Sequence, residues 1–547
     1  METPAPLGCP RPGVPAATAW VGLVCLAAVG LGVFARLWLL SNSPVNSDEA
    51  VVGLMAKQAL HGHLHTFYWG QDYGGVEPLG LAVLFGVFGT HAWLIRACPG
   101  LIEAAACVVL WRLGRRMFGT GVGGVAAALA WVWPESDVRN SVQAFGFRGA
   151  QLVCGLLVLL AALRISTGED RRSTWALLGA AAGVGWWASP EILYFAVPAA
   201  PFVAWSAWRR GGRAVAADGG VLLGALVAGM LPWLYTNAHT HFASLRVGSH
   251  YGAADGTYLH RLGILFSKTL PIILGTRAMQ RGTWLGGAAG PVLYGVLLVV
   301  LVLSLVVLAR RVPRARLLVV ALVAFPWLYA RAPTGYWQDG RFAVYFPPLI
   351  ALAVLGAGNE VIGVVARGPW RRTARAVLVT AVVAAAGVSA VQTLDVVTTF
   401  AARPFAITGA RTEATPASVA SGLRRAGITD AYAEYWVAYA LDFVSGGSVT
   451  ASPTDSVRAP DVAADVAGAG NPAWLFPGPT ASDVRRTTAG FPNAADPDGL
   501  SAARFAAVLA RGGVATRTVA VGPMRGVVPS VRITPGDLHR LETTGHR

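Results

Sequence analysis

Apolar residues in this chain fall in long runs that carry no polar stripe, the pattern of helices solvated mainly by lipid. The first run, residues 18–40, is close to the ~20 positions that a spanning helix needs. No small-residue cleavage site stands out after it, so it reads as a retained anchor. Further spans are predicted at 93–113, 121–134, 149–163, 175–188, 192–208, 221–235, 291–309, 317–330, 343–356 and 376–391. With the first run this makes about eleven transmembrane helices. The apolar run 79–88 differs, because as a helix it measures only ~15 Å against a hydrocarbon core of ~30 Å. It reads as an interfacial or re-entrant helix.

After Val391 the pattern changes: long apolar runs stop, and Pro, Asp, Thr and Gly become frequent from Arg403 to Arg547. The chain is therefore read as a membrane part, 1–396, and a soluble domain, 397–547, of roughly the usual ~150-residue size. Within the tail, 416–426 has helical periodicity, 428–435 reads as a strand, 436–444 as a helix, and 473–477 and 514–521 as strands. The expected fold class is an α-helical polytopic membrane protein with a C-terminal α/β domain.

Composition agrees, with 54% hydrophobic and 13% charged residues and a mean hydropathy of +0.52. The net charge of +16 would suit nucleic acid, but the arginines cluster between the apolar runs. Groups around Arg112, Arg164, Arg209, Arg310 and Arg371 fall at every second loop, as cytoplasmic anchors do. Nucleic acid is therefore rejected as a partner. The same rule places the first loop, 41–92, and the tail outside the cytoplasm. Only Lys57 and Lys268 are lysines among 44 basic residues, which with the abundant alanine suggests a high-GC bacterial source; with the predicted spans, the expected location is a bacterial plasma membrane, crossed many times. The five cysteines show neither metal-ligand spacing nor a paired framework.

Candidate chemistry lies in the first loop. The segment after Ser47 reads as a helix with Ser47 as N-cap, so that Asp48, Val52, Met55 and Ala59 share a face. Asp48 and Glu49 occupy its first turn, where acids ordinarily complement the helix dipole for ~0.3–1 kcal/mol. Ionisable groups beside a bilayer are also candidates for function. The following loop adds Tyr68, Trp69 and Tyr73, which could stack on a sugar ring, Gln71 and Asp72, which could bond hydroxyls, and a further acid, Glu77. An interfacial anchor is the competing reading for Trp69. His61, His63 and His65, like His239, His241 and His250, match no zinc spacing. No DxD string occurs in the first loop, which disfavours a divalent metal. Glu103, inside a span, reads as structural, and the aromatics of 434–447 read as a helix packing into the core of its own domain, with Tyr435, Trp436 and Tyr439 stacking on an acceptor glycan as the competing reading.

An acidic pair, an amphipathic helix, an aromatic segment, a second acid, an apolar pseudo-span and then LIRACPGLIEAAACVVLWRLGRRMFG resemble the GT-C superfamily. The likeness runs over residues 45–119, returns at 335–349, and is to protein O-mannosyltransferases and the lipid A aminoarabinose transferase. It implies a polyprenyl-phosphate sugar as donor, a cell-envelope glycan, lipid or protein as acceptor, membrane lipid as surroundings, and an inverting displacement at the outer face. In that scheme Asp48 is the base, Glu49 orients base or acceptor, and Glu77 is the second acid. Where the aminoarabinose transferase follows this acid with a lysine, here Pro78 and Leu79 follow. The phosphate-binding cations are then sought first at Arg341, and next at Arg148, Arg96 and Arg36. A flippase of lipid-linked sugars and a noncatalytic glycan-binding assembly subunit are the rival classes.

Overall fold

A computed structural model describes residues 16–42, 45–169, 171–245, 256–279, 282–332, 337, 340–365, 371–401, 406–407, 410–411, 416–477, 502–521 and 524–544. In chain order the helices are α1 (Ala16–Asn42), α2 (Ser47–Leu60), α3 (Val76–Phe88), α4 (Ala92–Phe118), α5 (Thr120–Val132), α6 (Glu135–Asn140), α7 (Arg148–Ser166), α8 (Arg172–Ala188), α9 (Leu193–Arg210), α10 (Gly212–Gly229), α11 (Leu231–His239), α12 (Tyr258–Ile264), α13 (Leu270–Ile273), α14 (Ala289–Arg311), α15 (Arg316–Tyr329), α16 (Phe346–Val365) and α17 (Arg371–Ala401). Each run predicted as a span coincides with one of these helices or with the α10–α11 pair. Among the described residues, five helices are long and apolar enough to cross a membrane unaided, namely α1, α4, α7, α14 and α16. A sixth span arises if α10 and α11, bent by 62°, count as one. The bend falls just before Pro232, which has no N–H to continue the helical ladder. Helices α8 and α10 pack so closely at Gly179 and Gly183 that a Cβ there would strike the Leu222 and Leu226 carbonyls. An Arg116–Glu169 ion pair joins the ends of α4 and α7, which puts these two arginine-bearing termini on one side.

Helix α2 starts one residue earlier than the sequence suggests. Asn46, not Ser47, is the N-cap: its side chain accepts from the Glu49 N–H at 2.9 Å, while a Glu49 carboxylate oxygen accepts from the Asn46 N–H at 3.0 Å. This reciprocal capping box satisfies two otherwise orphaned donors. The Ser47 hydroxyl turns away and accepts from the Ala440 N–H at 3.3 Å. The short apolar run expected at the interface is α3, a 13-residue helix whose buried face is Glu77, Pro78, Leu81, Ala82 and Phe85.

After β1 (Ala406–Ile407) and β2 (Ala410–Arg411), the tail builds an α/β layer from α18 (Pro416–Arg425), β3 (Asp430–Ala433), α19 (Tyr435–Ser445), β4 (Thr450–Pro453), α20 (Pro460–Gly468), β5 (Ala473–Pro477), α21 (Ala502–Arg511), β6 (Thr516–Val521), β7 (Met524–Pro529) and α22 (Pro535–Thr544). The sheet order is β4-β3-β5-β7-β6. Strand β3 runs parallel to β4 and β5, and β7 runs antiparallel to β5 and β6. The predicted elements of the tail all appear. Helix α19, however, does more than fill its own domain, since one hydrophobic core joins Val51, Met55, Phe85 and Ile95 to Ala438, Tyr439, Leu441 and Phe443. Phe443 stacks on Phe85 with ring centroids 6.2 Å apart. Lys57 Nζ donates to the Phe443 carbonyl at 3.0 Å. The two helices meet at Gly53, where a Cβ would lie 2.6 Å from the Phe443 ring and 2.8 Å from Ile95. The tail is thus docked on the first loop by apolar burial, the non-directional term that dominates association.

Candidate functional site

The acidic pair is divided between two tasks. Glu49 is 1% exposed and forms a bidentate ion pair with Arg96 of α4, Nε to Oε1 at 3.0 Å and Nη2 to Oε2 at 2.8 Å. Because the same carboxylate caps α2, it pins the start of that helix to α4. Asp48, next along the helix, is 18% exposed and faces the tail. Its Oδ1 accepts the Tyr435 hydroxyl at 2.5 Å and lies 3.4 Å from Arg458 Nη2. The Tyr68 hydroxyl donates to the Asp48 main-chain carbonyl at 2.9 Å.

Tyr68 links this carboxylate to a second group of ionisable residues. Its ring lies against Gly146, a residue at φ +86° where a Cβ would come within 2.9 Å of that ring. Only glycine serves both demands at that position. The Gly146 carbonyl accepts the Glu77 N–H at 3.2 Å. Beyond it Arg148, at the start of α7 and 8% exposed, sets its guanidinium 4.5 Å from the Phe147 ring centroid, 4.8 Å from Phe342 and 5.3 Å from Phe145. Arg341 reaches Phe145 too, at 5.2 Å. Phe145 therefore brings Arg148 and Arg341 to a shared ring, two cations that lie far apart in sequence. Glu77, Glu103, Asp137, Asn140, Gln143 and Arg148 are among the residues around a cavity of about 480 Å³, counting its opening to solvent. Glu77 Oε1, Asp137 Oδ1 and Arg148 Nε are buried there without a hydrogen-bond partner among the described residues. Buried polar atoms of this kind are normally satisfied, so their concentration in one cavity points to a polar ligand.

The remaining candidates fall elsewhere. Tyr68 and Trp69 are buried, and Trp69 packs edge-on to His65 at 5.4 Å; neither presents an open face to a sugar. Gln71, Asp72 and Tyr73 are half-buried, and Tyr73 packs edge-on to Phe147 at 4.9 Å. Arg96 is engaged by Glu49. Arg36 donates to the Gly32 and Trp131 carbonyls inside the bundle and covers the Trp131 ring at 3.5 Å. His61 and His65 bond the Lys57 carbonyl and the Gln58 side chain. No cluster of three or more His, Cys, Asp or Glu is arranged for a metal among the described residues; His250, Gln338 and Asp339 lie outside those residues. Sequence reasoning missed Asp137, Gln143 and Phe145, and it missed Arg458. Asp137 had a signal, a carboxylate between two apolar runs, whereas Arg458 sits in an ordinary polar stretch of the tail.

Burial raises the Glu77 carboxyl from the usual 4.5 to about 8, against the pull of the Gly146 backbone and the Arg148 charge. In the unfolded chain this group ionises near 4.5, while in the fold it keeps its proton up to about 8. Over that window the folded state holds more protons, so stability falls as pH rises and levels off above the folded value. Glu77→Gln is expected to remove that decline. Unfolding of the wild type and the variant in detergent at pH 5, 6.5 and 8.5 measures it, and equal slopes would contradict it.

With this geometry in view, the family match and the ArnT structures point to one architecture. Residues 77–235 match the family described as dolichyl-phosphate-mannose-protein mannosyltransferase. The crystal structure of ArnT from Cupriavidus metallidurans in the apo state superposes with a TM-score of 0.59 at 15% identity, covering 94% of this chain and 99% of that one. The same protein bound to undecaprenyl phosphate gives 0.59 at 14% identity, covering 94% and 98%. An oligosaccharyltransferase from Archaeoglobus fulgidus scores 0.44 at 13% identity, covering 78% of this chain and 64% of that one. No curated protein sequence matches the chain significantly. A family match that begins at Glu77 and a fold shared with ArnT over nearly the whole length give the chain an ArnT-like, GT-C-like fold.

Proposed function

We propose that the protein transfers a sugar from a polyprenyl-phosphate donor to a hydroxyl of a cell-envelope glycan, lipid or protein, with inversion, at the extracytoplasmic face of a bacterial plasma membrane. The observation that carries this reading is the cavity lined by Arg148 and by Glu77, a carboxyl raised to about 8, on a helix that packs against the one carrying Asp48. A donor phosphate suits such a site. Arg148 and Arg341 supply charge, since guanidinium forks bind phosphate oxygens well. Glu77, neutral at pH 7, donates a hydrogen bond where an ionised carboxylate would repel the anion. Asp137 and Gln143 offer acceptors and donors to sugar hydroxyls.

In the reaction Asp48 takes the acceptor hydroxyl proton as that oxygen attacks the anomeric carbon. The bond between that carbon and the phosphate oxygen breaks, and the phosphate departs with the electron pair, so no general acid is needed. Glu49 holds the helix that carries Asp48. A polyprenyl carrier is supported by the undecaprenyl phosphate bound to the similar ArnT fold. The extracytoplasmic assignment rests on the arginine-bearing loops and on the tail, which docks on the first loop and so shares its side. The membrane part is read as 1–396 and the tail as 397–547.

Proteoliposomes with labelled mannosyl- or arabinosyl-phosphopolyprenol and an envelope glycan test the reading. Label is expected on the glycan, with free polyprenyl phosphate released. Label that crosses the bilayer with its glycosyl bond intact would instead identify a flippase. Glycan capture without bond cleavage would identify a binding subunit.

A further inference from the structure

Asp48 is met by residues from the far end of the chain, and that meeting is built from several sides. Tyr435, the first residue of α19, gives its hydroxyl to Oδ1. Arg458, in the loop between β4 and α20, places Nη2 3.4 Å from the same oxygen. Arg458 is itself held on all sides. Its guanidinium lies 5.3 Å from the Tyr68 ring centroid and 5.1 Å from that of Tyr435. Its main-chain N–H donates to the Tyr439 hydroxyl at 2.8 Å. Its aliphatic stem rests on Gly70, at φ +70°, where a Cβ would come within 3.1 Å of Arg458 Cγ. First loop and tail are thus shaped around one guanidinium and one carboxylate.

We propose that the C-terminal domain completes the base, with Tyr435 and Arg458 acting as positioning residues that fix Asp48 through Oδ1 and leave Oδ2 to receive the acceptor proton. The inference rests on Asp48 being that base. A carboxylate free to rotate offers either oxygen in many directions. One that accepts the Tyr435 hydroxyl on Oδ1 and has the Arg458 charge beside that same oxygen has its other oxygen aimed, and proton transfer depends on such aim. The tail is then part of the site, and transfer requires it to be docked on α2. An acceptor hydroxyl must arrive beside this contact, at the edge where Asp48 is still partly exposed.

The full-length protein in proteoliposomes carries the test, with kcat and KM measured for a polyprenyl-phosphate sugar donor. Tyr435→Phe, which removes one hydrogen bond to a charged group, and Arg458→Gln, which removes the adjacent charge, are each expected to lower kcat about tenfold and to leave donor KM within about twofold. Arg458→Lys should recover part of the loss. Gln58→Ala, which removes the Gln58–Asp461 contact of 3.1 Å at the same interface without touching Asp48, should transfer at the wild-type rate. In the Asp48→Asn background, Arg458→Gln should cost nothing further, because it acts through the carboxylate. Where Arg458→Gln fails to fold, Tyr435→Phe, the loss of one oxygen atom, decides the matter. Wild-type kcat in both variants, a rise in KM alone, or an equal loss in Gln58→Ala would overturn the inference. The base reading fails separately, if Asp48→Asn itself transfers normally.

Discussion

Asp48→Asn is expected to lower sugar transfer by about 10² to 10⁴-fold, the usual worth of a positioned general base. The amide is nearly isosteric with the carboxylate. Its carbonyl oxygen can still accept the Tyr435 hydroxyl that now reaches Oδ1, and the Tyr68 bond goes to the main chain and is untouched. The fold therefore survives while the proton acceptor is lost. Initial rates with a polyprenyl-phosphate donor, alongside unfolding midpoints of both proteins, measure the effect. A variant that transfers at the wild-type rate would remove Asp48 from the mechanism, whatever its position.

Arg96→Met should destabilise the membrane part by about 3–5 kcal/mol, because it leaves a buried carboxylate without its counter-charge. Glu49 is 1% exposed and the arginine 2%, so water cannot take over. The same carboxylate closes the Asn46 capping box, and a lost cap costs about 1 kcal/mol. The loss falls on the turn that carries Asp48. Glu49→Gln with Arg96→Met together should cost less than Arg96→Met alone, since no unpaired charge remains. Unfolding in mixed micelles over a detergent gradient gives both values. If Arg96→Met proved as stable as the wild type, Glu49 would have no structural hold on α2, and its assignment as support for the base would fall with it.

The acids of the first loop were visible because each sits in a local context that marks it: Asp48 and Glu49 open a helix after a span, and Glu77 opens a short apolar one. Their chemical differences were not visible. Glu49 and Asp48 are adjacent, yet one faces Arg96 inside the bundle and the other faces the tail, because neighbouring positions on a helix point about 100° apart. Tyr68 and Trp69 looked like sugar-stacking rings, and they turn out to be packed inside the loop. An aromatic side chain fits either use, and only its neighbours decide which.

By itself the sequence determined where the apolar helices run, the short helix between them, five elements of the tail and the segment that carries the acids. All of these are written in windows of roughly one helix length, where hydrophobic period and capping residues act locally. The tertiary structure alone decided that Glu49 pairs with Arg96, 47 positions away, that Phe145 brings Arg148 and Arg341 together, and that Tyr435 reaches Asp48 across 387 positions. Such contacts leave no period in the sequence. They exist because helices that bury their apolar faces against one another, and a tail whose apolar helix covers α2, bring distant polar groups into the few places where packing holds them.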